Sequence, residues 1–261
     1  MRGYNKVKKA LREGKSVLGA FMMFPSTDIV EMLGYSGFDF VLIDSEHGRM
    51  TIETIENLVR AADCTDMTPI VRVPNDPNKL LQVLETGCQG VQIPQVNSAE
   101  EVRKIIKTMK YYPEGQRGMA LTTRAGNYGT KDLASHIKES NREILLSIQI
   151  ENKDAINNLS DIVKIPNIDV LFIGPGDLSQ SLGLPGQIDH PKVQDIIKKV
   201  IKKGNEVGIP VGIDTGSEQS VKEWLDYGVR YITVGPSVLF KSCKDIAQRL
   251  KNSNSRKENF L

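Results

Sequence analysis

Six side chains in this sequence have the types and spacing to do chemistry together: Asp44, His47, Arg72, Gln149, Glu151 and Asp177. Each closes or interrupts a short apolar run: FVLIDSEH, IVRVP, LLSIQIE and LFIGPGD. Two carboxylates brought close together repel unless a proton or a cation lies between them. For Glu151 and Asp177 the all-oxygen donor set suits a hard divalent ion, Mg2+ or Mn2+ first and Co2+ after them, and leaves positions for water and substrate. Asp44 precedes His47 at a spacing that lets a carboxylate orient an imidazole and raise its basicity, as a general base near neutral pH requires. Arg72 supplies a planar, permanently charged donor for an oxyanion or enolate. The glycines around Asp177 in FIGPGDLSQSLG free backbone amides beside a helix start, a nest suited to a substrate carboxylate.

Competing uses of these residues are weaker. A structural ion pair explains one charge at such a position, not several; Arg72 can serve as a salt-bridge partner of Glu151, and His47 can cap the helix that starts after Thr51. Glycoside hydrolysis uses two carboxylates but needs an aromatic sugar platform, which the apolar run ends do not supply. A closed zinc site is disfavoured because only His47 of the three histidines falls near these residues. No apolar run carries a lysine in its core, which removes Schiff-base chemistry and leaves a metal as the electron sink beside a carbonyl.

These residues need a scaffold that gathers distant strand ends. Apolar, β-branched runs at 17–24, 38–44, 69–73, 90–94, 144–151, 170–174, 210–214 and 231–235 alternate with amphipathic segments of helical period. Eight βα units predict an α/β fold of the (β/α)8, or TIM, type, with the active site at the C-terminal strand ends. Ser26, Thr51, Ser98 and Ser217 stand where helix N-caps belong, and Gly34, Gly87, Gly204 and Gly228 where helices should stop. The length of 261 residues fits one such domain, 1–251, with a polar tail at 252–261. Residues 111–143 lengthen the fourth unit and are read as a rim insertion, a lid or substrate loop.

Composition narrows the partners. A net charge of +2 with scattered signs, 39% hydrophobic and 25% charged residues describe an ordinary globular chain without a basic stripe for nucleic acid. No run spans a bilayer and the N-terminus reads as a polar helix, so a cytoplasmic location is expected. Cys64, Cys88 and Cys243 have no metal spacing and are expected in the core.

The segments GFDFVLIDSEHG, VRVP, GVQIPQV, YYPEGQRG, QIE and FIGPGDLSQSLG together resemble the class II 2-oxo-acid aldolases of the HpcH/HpaI type, within the pyruvate/phosphoenolpyruvate barrel superfamily, over residues 19–239. The resemblance implies Glu151 and Asp177 as metal ligands, Arg72 on the ketone or enolate oxygen, and Asp44 with His47 as an acid/base dyad working through water. It further implies that Gln149 supports the dyad region, that Gly176, Asp177 and Gln149 meet the substrate, and that Arg124 lies near the aldehyde end. The implied reaction is reversible cleavage of a 4-hydroxy-2-oxo acid, such as 4-hydroxy-2-oxoheptanedioate or a sugar-acid derivative, to pyruvate and an aldehyde. A homohexamer exchanging the C-terminal helix after Ser237 is also implied. Phe21 stands where many members have Trp, and Gly176 where alanine is common; both departures bear on the aldehyde pocket. Three rival readings are a metal-independent, citrate-type condensing synthase of the same barrel, a phosphosugar enzyme using GIDTGS and VGPSVL, and a catalytically silent binding module.

Overall fold

The computed structural model describes residues 4–255. Eight strands, β1 (Val17–Met22), β2 (Phe40–Asp44), β3 (Thr68–Arg72), β4 (Gly90–Ile93), β5 (Leu145–Ile150), β6 (Val170–Ile173), β7 (Val211–Thr215) and β8 (Tyr231–Val234), close in sequence order into one parallel barrel. The expected (β/α)8 architecture is therefore the one formed. Side chains alternate between two cores, as the two-residue period of a strand requires. Outward residues such as Val41, Val71, Val91, Leu146 and Ile213 pack under the helices. Inward residues Phe40, Leu42, Ile70, Leu145, Phe172 and Tyr231 fill the barrel, and Val7 and Leu11 of the helix Lys6–Arg12 join them. That helix plugs the N-terminal mouth. Its buried Lys8 donates through Nζ to Ile144 O at 2.8 Å and to Asp169 Oδ2 at 2.9 Å, so the charge enters the interior already paired.

The barrel interior is more aromatic than the branched aliphatic filling usual for this fold. Phe40 stacks on Tyr231 at 4.3 Å between ring centroids, and Phe172 meets Tyr231 edge-on at 6.0 Å. Room for these rings comes from glycines on neighbouring strands. A Cβ at Gly19 would lie 2.1 Å from the Phe40 ring, and one at Gly212 would lie 2.7 Å from the Tyr231 ring.

The serine and threonine caps form as expected: Ser26, Thr51, Ser98 and Ser217 each accept from a backbone N–H in the first turn of their helix. Gly87 and Gly228 follow helix ends with positive φ, whereas Gly34 and Gly204 lie inside the helices Thr27–Tyr35 and Pro191–Val207. Their lack of a side chain serves packing instead; a Cβ at Gly204 would fall 2.4 Å from Val211 Cγ2. Only Cys88 is buried, and Cys64 and Cys243 are exposed.

The segment 111–143 does not sit on the catalytic rim. The helix Ala99–Met109 runs back along the barrel, so the chain that follows it starts at the opposite, N-terminal face. There Ala125 N–H donates to Glu85 O at 3.2 Å, Arg117 pairs with Glu85 at 2.8 Å, and the helix Leu133–Glu143 leads into β5. The C-terminal helix runs Ser237–Ser255, past the start of the expected tail; residues 256–261 lie outside the described residues. Among the described residues no helix is long and apolar enough to cross a membrane.

Candidate active site

Parallel pairing puts Asp44 of β2 opposite Arg72 of β3. Both are buried, and both follow the inward parity set by Leu42 and Ile70. The guanidinium donates through Nε to Asp44 Oδ1 at 2.9 Å and through Nη2 to Asp44 Oδ2 at 2.5 Å. This bidentate pair fixes the plane of the guanidinium and compensates the burial of both charges. Arg72 Nη1 lies 3.3 Å from Glu46 Oε2, and the group sits over the Phe21 ring at 4.9 Å.

Asp44 accordingly does not orient the imidazole of His47. Its Oδ1 accepts the backbone N–H groups of Glu46 and His47, at 3.0 and 3.2 Å, while the His47 ring stands in the loop, mostly exposed, with Nε2 3.9 Å from Glu46 Oε2. The cause is register: a residue at the strand end points into the barrel, and one three positions later is already on the rim. Glu46 is the acid beside the imidazole. Burial raises the proton affinity of Glu46 and the carboxylates of Asp44 and Asp177 add to the effect, against the opposing pull of Arg72 and His47.

Glu151 follows β5 directly and is buried. Its Oε1 accepts Gln95 N–H at 2.7 Å and its Oε2 accepts Gln149 Nε2; Gln149 Oε1 in turn accepts Gln92 Nε2 at 3.0 Å, and Gln92 Oε1 accepts Ser147 Oγ at 3.1 Å. This amide chain across β4 and β5 holds the carboxylate in one orientation. Burial raises the Glu151 carboxyl above its ordinary range, and Asp177 and Glu46 push the same way, while the Gln95 and Gln149 hydrogen bonds work against it. Gly174, on the next strand connection, leaves this carboxylate its room: a Cβ would stand 2.7 Å from Glu151 Oε2. Asp177 is exposed on the first turn of the helix Pro175–Ser181.

His47, Arg72, Gln149, Gly176 and Asp177 line one cavity of about 260 Å3 at the C-terminal end of the barrel, with Phe21 and Phe172 as its apolar wall. Asp44 and Glu151 connect to it through their hydrogen bonds with Arg72 and Gln149. Arg124 is elsewhere: it donates to Thr86 O at 2.9 Å and pairs with Asp63, joining two helix ends on the N-terminal face. Its position in 111–143 determines this, because that segment closes the other end of the barrel. Three further residues take part in the site's polar network. Glu46 and Gln92 lie inside the quoted segments GFDFVLIDSEHG and GVQIPQV, and the inward parity of β4 would have marked Gln92. Asp214, the polar residue near the end of β7, faces the same cavity, accepts from Thr233 Oγ1 at 2.9 Å, and is raised to about 6, chiefly by burial.

Among the described residues no group of three or more histidine, cysteine or acidic side chains converges as a ready-made metal cage. The donor set nonetheless fits a hard cation. Each Glu151 oxygen uses one hydrogen bond and keeps acceptor capacity, and the carboxylates of Glu46, Glu151 and Asp177 act on one another as like charges that a cation would neutralise.

Residues 18–238 match the family model described as HpcH/HpaI aldolase/citrate lyase. The chain is 35% identical over 251 residues to a hydroxypyruvate/pyruvate aldolase of Roseobacter denitrificans, covering 95% of this chain and 97% of that one. It is 32% identical over 255 residues to a 4-hydroxy-2-oxo-heptane-1,7-dioate aldolase of Shigella flexneri, covering 96% and 95%. A crystal structure of an HpcH/HpaI aldolase/citrate lyase family protein from Burkholderia cenocepacia superposes with a TM-score of 0.90 at 26% identity, covering 95% of this chain and 99% of that one.

Proposed function

The chain belongs to the HpcH/HpaI aldolase/citrate lyase family and is an aldolase, a carbon–carbon lyase; from that premise we propose that it cleaves a 4-hydroxy-2-oxo acid reversibly to pyruvate and an aldehyde with the help of a divalent metal. The observation that carries this reading is the arrangement of Arg72, locked by Asp44, beside the carboxylates of Glu46, Glu151 and Asp177 on one rim. Glu151 and Asp177 would hold the ion, Mg2+ or Mn2+ by its oxygen ligands and Co2+ as an alternative. When bound, such an ion polarises the 2-oxo group and stabilises negative charge on its oxygen.

The protein's own groups account for the rest of the chemistry. In cleavage the 4-hydroxyl loses its proton, the C3–C4 bond breaks, and its electron pair moves through C3 onto the C2 oxygen, leaving an enolate that takes a proton at C3. His47, on the open side of the cavity with Glu46 Oε2 3.9 Å from its Nε2, accepts the hydroxyl proton. Arg72 keeps N–H donors on the cavity side of a guanidinium already fixed in plane, so charge developing on the C2 oxygen meets a donor that needs no reorganisation. Gln149, which lines the cavity, donates to Glu151 Oε2 and so sets the carboxylate's orientation. Phe21 and Phe172 exclude water from the side where the enolate carbon lies.

Glu151→Ala and Asp177→Ala are expected to lower pyruvate release from a 4-hydroxy-2-oxo acid by at least about 100-fold while the melting temperature persists, because second-sphere changes at metal sites alone cost 10- to 100-fold. Excess EDTA should do the same to the unaltered enzyme, and added Mn2+ should restore it. Full turnover in EDTA would overturn the metal-dependent reading and favour the metal-free condensing reaction.

A further inference from the structure

The identity of the aldehyde can be narrowed from a feature on the β7 side of the rim. Asp214 borders two cavities at once: the one holding Arg72 and Gln149, and an adjoining one of about 550 Å3 over β6 and β7. Pro175 and Gly176 border both as well, and a Cβ at Gly176 would meet nothing within 4 Å. The second cavity carries the carboxyls of Asp189 and Glu223 and the hydroxyls of Thr215, Ser217 and Ser220. Among the described residues lining it none is cationic. Arg72, the cation of the first cavity, is paired with Asp44 and Glu46, and in the reading above its remaining donors serve the 2-oxo end of the substrate.

Resting on the aldolase reading above, we propose that Asp214 is a specificity-determining residue that hydrogen-bonds a hydroxyl of the aldehyde partner, and that the enzyme takes neutral, hydroxylated aldehydes in preference to aldehydes bearing a carboxylate. A carboxylate at the far end of the aldehyde would enter a space lined by Asp214, Asp189 and Glu223 and by no cationic residue, whereas a hydroxyl can donate to an ionised Asp214 or accept from a protonated one. Asp214 keeps its hydrogen bond to Thr233 Oγ1 through one oxygen, Oδ1, and the second oxygen, Oδ2, faces Gly235, across which a side chain would still be 3.6 Å away. Burial has raised its carboxyl to about 6, which places both protonation states within reach near neutral pH and lets it act as donor or acceptor.

The test is the aldol addition of pyruvate to four aldehydes, each read as kcat/KM: glyceraldehyde, propanal, which lacks both of its hydroxyls, succinic semialdehyde and glyoxylate. The unaltered enzyme should favour glyceraldehyde over propanal, and over either carboxylated aldehyde, by about tenfold or more, the size of one well-made hydrogen bond. Asp214→Leu should collapse the glyceraldehyde-to-propanal ratio towards one. Asp214→Asn, which retains a hydrogen-bonding head without charge, should keep that ratio within about threefold and raise succinic semialdehyde relative to glyceraldehyde. Because each ratio is internal to one variant, a general loss of activity does not obscure it. A preference of the unaltered enzyme for the carboxylated aldehydes, or ratios that ignore both substitutions, would overturn the assignment. Exchange of the pyruvate methyl protons in D2O by the unaltered, metal-loaded enzyme separates the two levels: exchange with unmoved ratios defeats the role of Asp214, and absence of exchange defeats the aldolase reading and this one with it.

Discussion

Asp214 shows how one side chain reports on its surroundings. Its carboxyl is raised from 3.8 to about 6 by burial, with Thr233 Oγ1, Arg72 and the Thr215 N–H opposing the shift. A carboxyl whose proton is held more tightly in the folded than in the unfolded chain adds stability in full below about pH 4, and that contribution is lost as pH rises through about 6. Asn resembles the protonated acid and does not titrate. The melting temperature of Asp214→Asn should therefore climb relative to the unaltered protein between pH 4.5 and 7.5, measured in parallel by calorimetry. A difference that stays constant over that range would show that Asp214 is not buried as a neutral acid. Asp44 teaches the complementary point: the sequence shows an acid near a histidine, and the folded chain gives that acid to an arginine on the next strand.

At the scale of strands, the barrel is held open for its site by what fills it below. Phe40, Phe172 and Tyr231 form an aromatic layer beneath Arg72 and Gln149, and they fit only because Gly19 and Gly212 offer no side chain. The Phe40 ring cannot retreat from a new Cβ at Gly19, being stacked on Tyr231 at 4.3 Å. Overpacking of this kind costs about 1–3 kcal/mol, so Gly19→Ala should lower the melting temperature by roughly 3–10 °C. Gly176→Ala, where nothing lies within 4 Å, should leave it within about 1 °C. Equal melting temperatures for the two variants would contradict the aromatic-layer account.

For the molecule as a whole, the C-terminal helix Ser237–Ser255 is the element least covered by its own chain. Phe240 is 72% exposed and Ile246 60%, with Leu239 and Leu250 exposed beside them. Near the start of that helix an apolar groove is lined by Ala20, Leu33, Phe38, Pro236 and Val238. An apolar helix face this exposed suits burial against another copy, and we propose that a hexamer exchanging this helix covers it. Sedimentation should give the hexamer for the unaltered chain and smaller species for Phe240→Glu combined with Ile246→Glu. A monomer at micromolar concentration for the unaltered chain would remove this reading.

Strand count, caps and the identities of Arg72, Gln149, Glu151 and Asp177 were all legible along the chain, because alternation of apolar residues, cap chemistry and charges at strand ends are local signals. Glu151 and Asp177, which we propose as the metal ligands, stood out in the same way, as two acids ending adjacent strands. Partnership was not. Which acid meets Arg72 depends on inter-strand register; which acid lies by His47 depends on where the strand gives way to the loop. The placement of 111–143 and Arg124 at the far end depends on the direction of the preceding helix, and the importance of Gln92 and Asp214 on inward parity around a closed barrel. Each of these is a relation between residues remote in sequence, and only the closed barrel brings them within reach of one another.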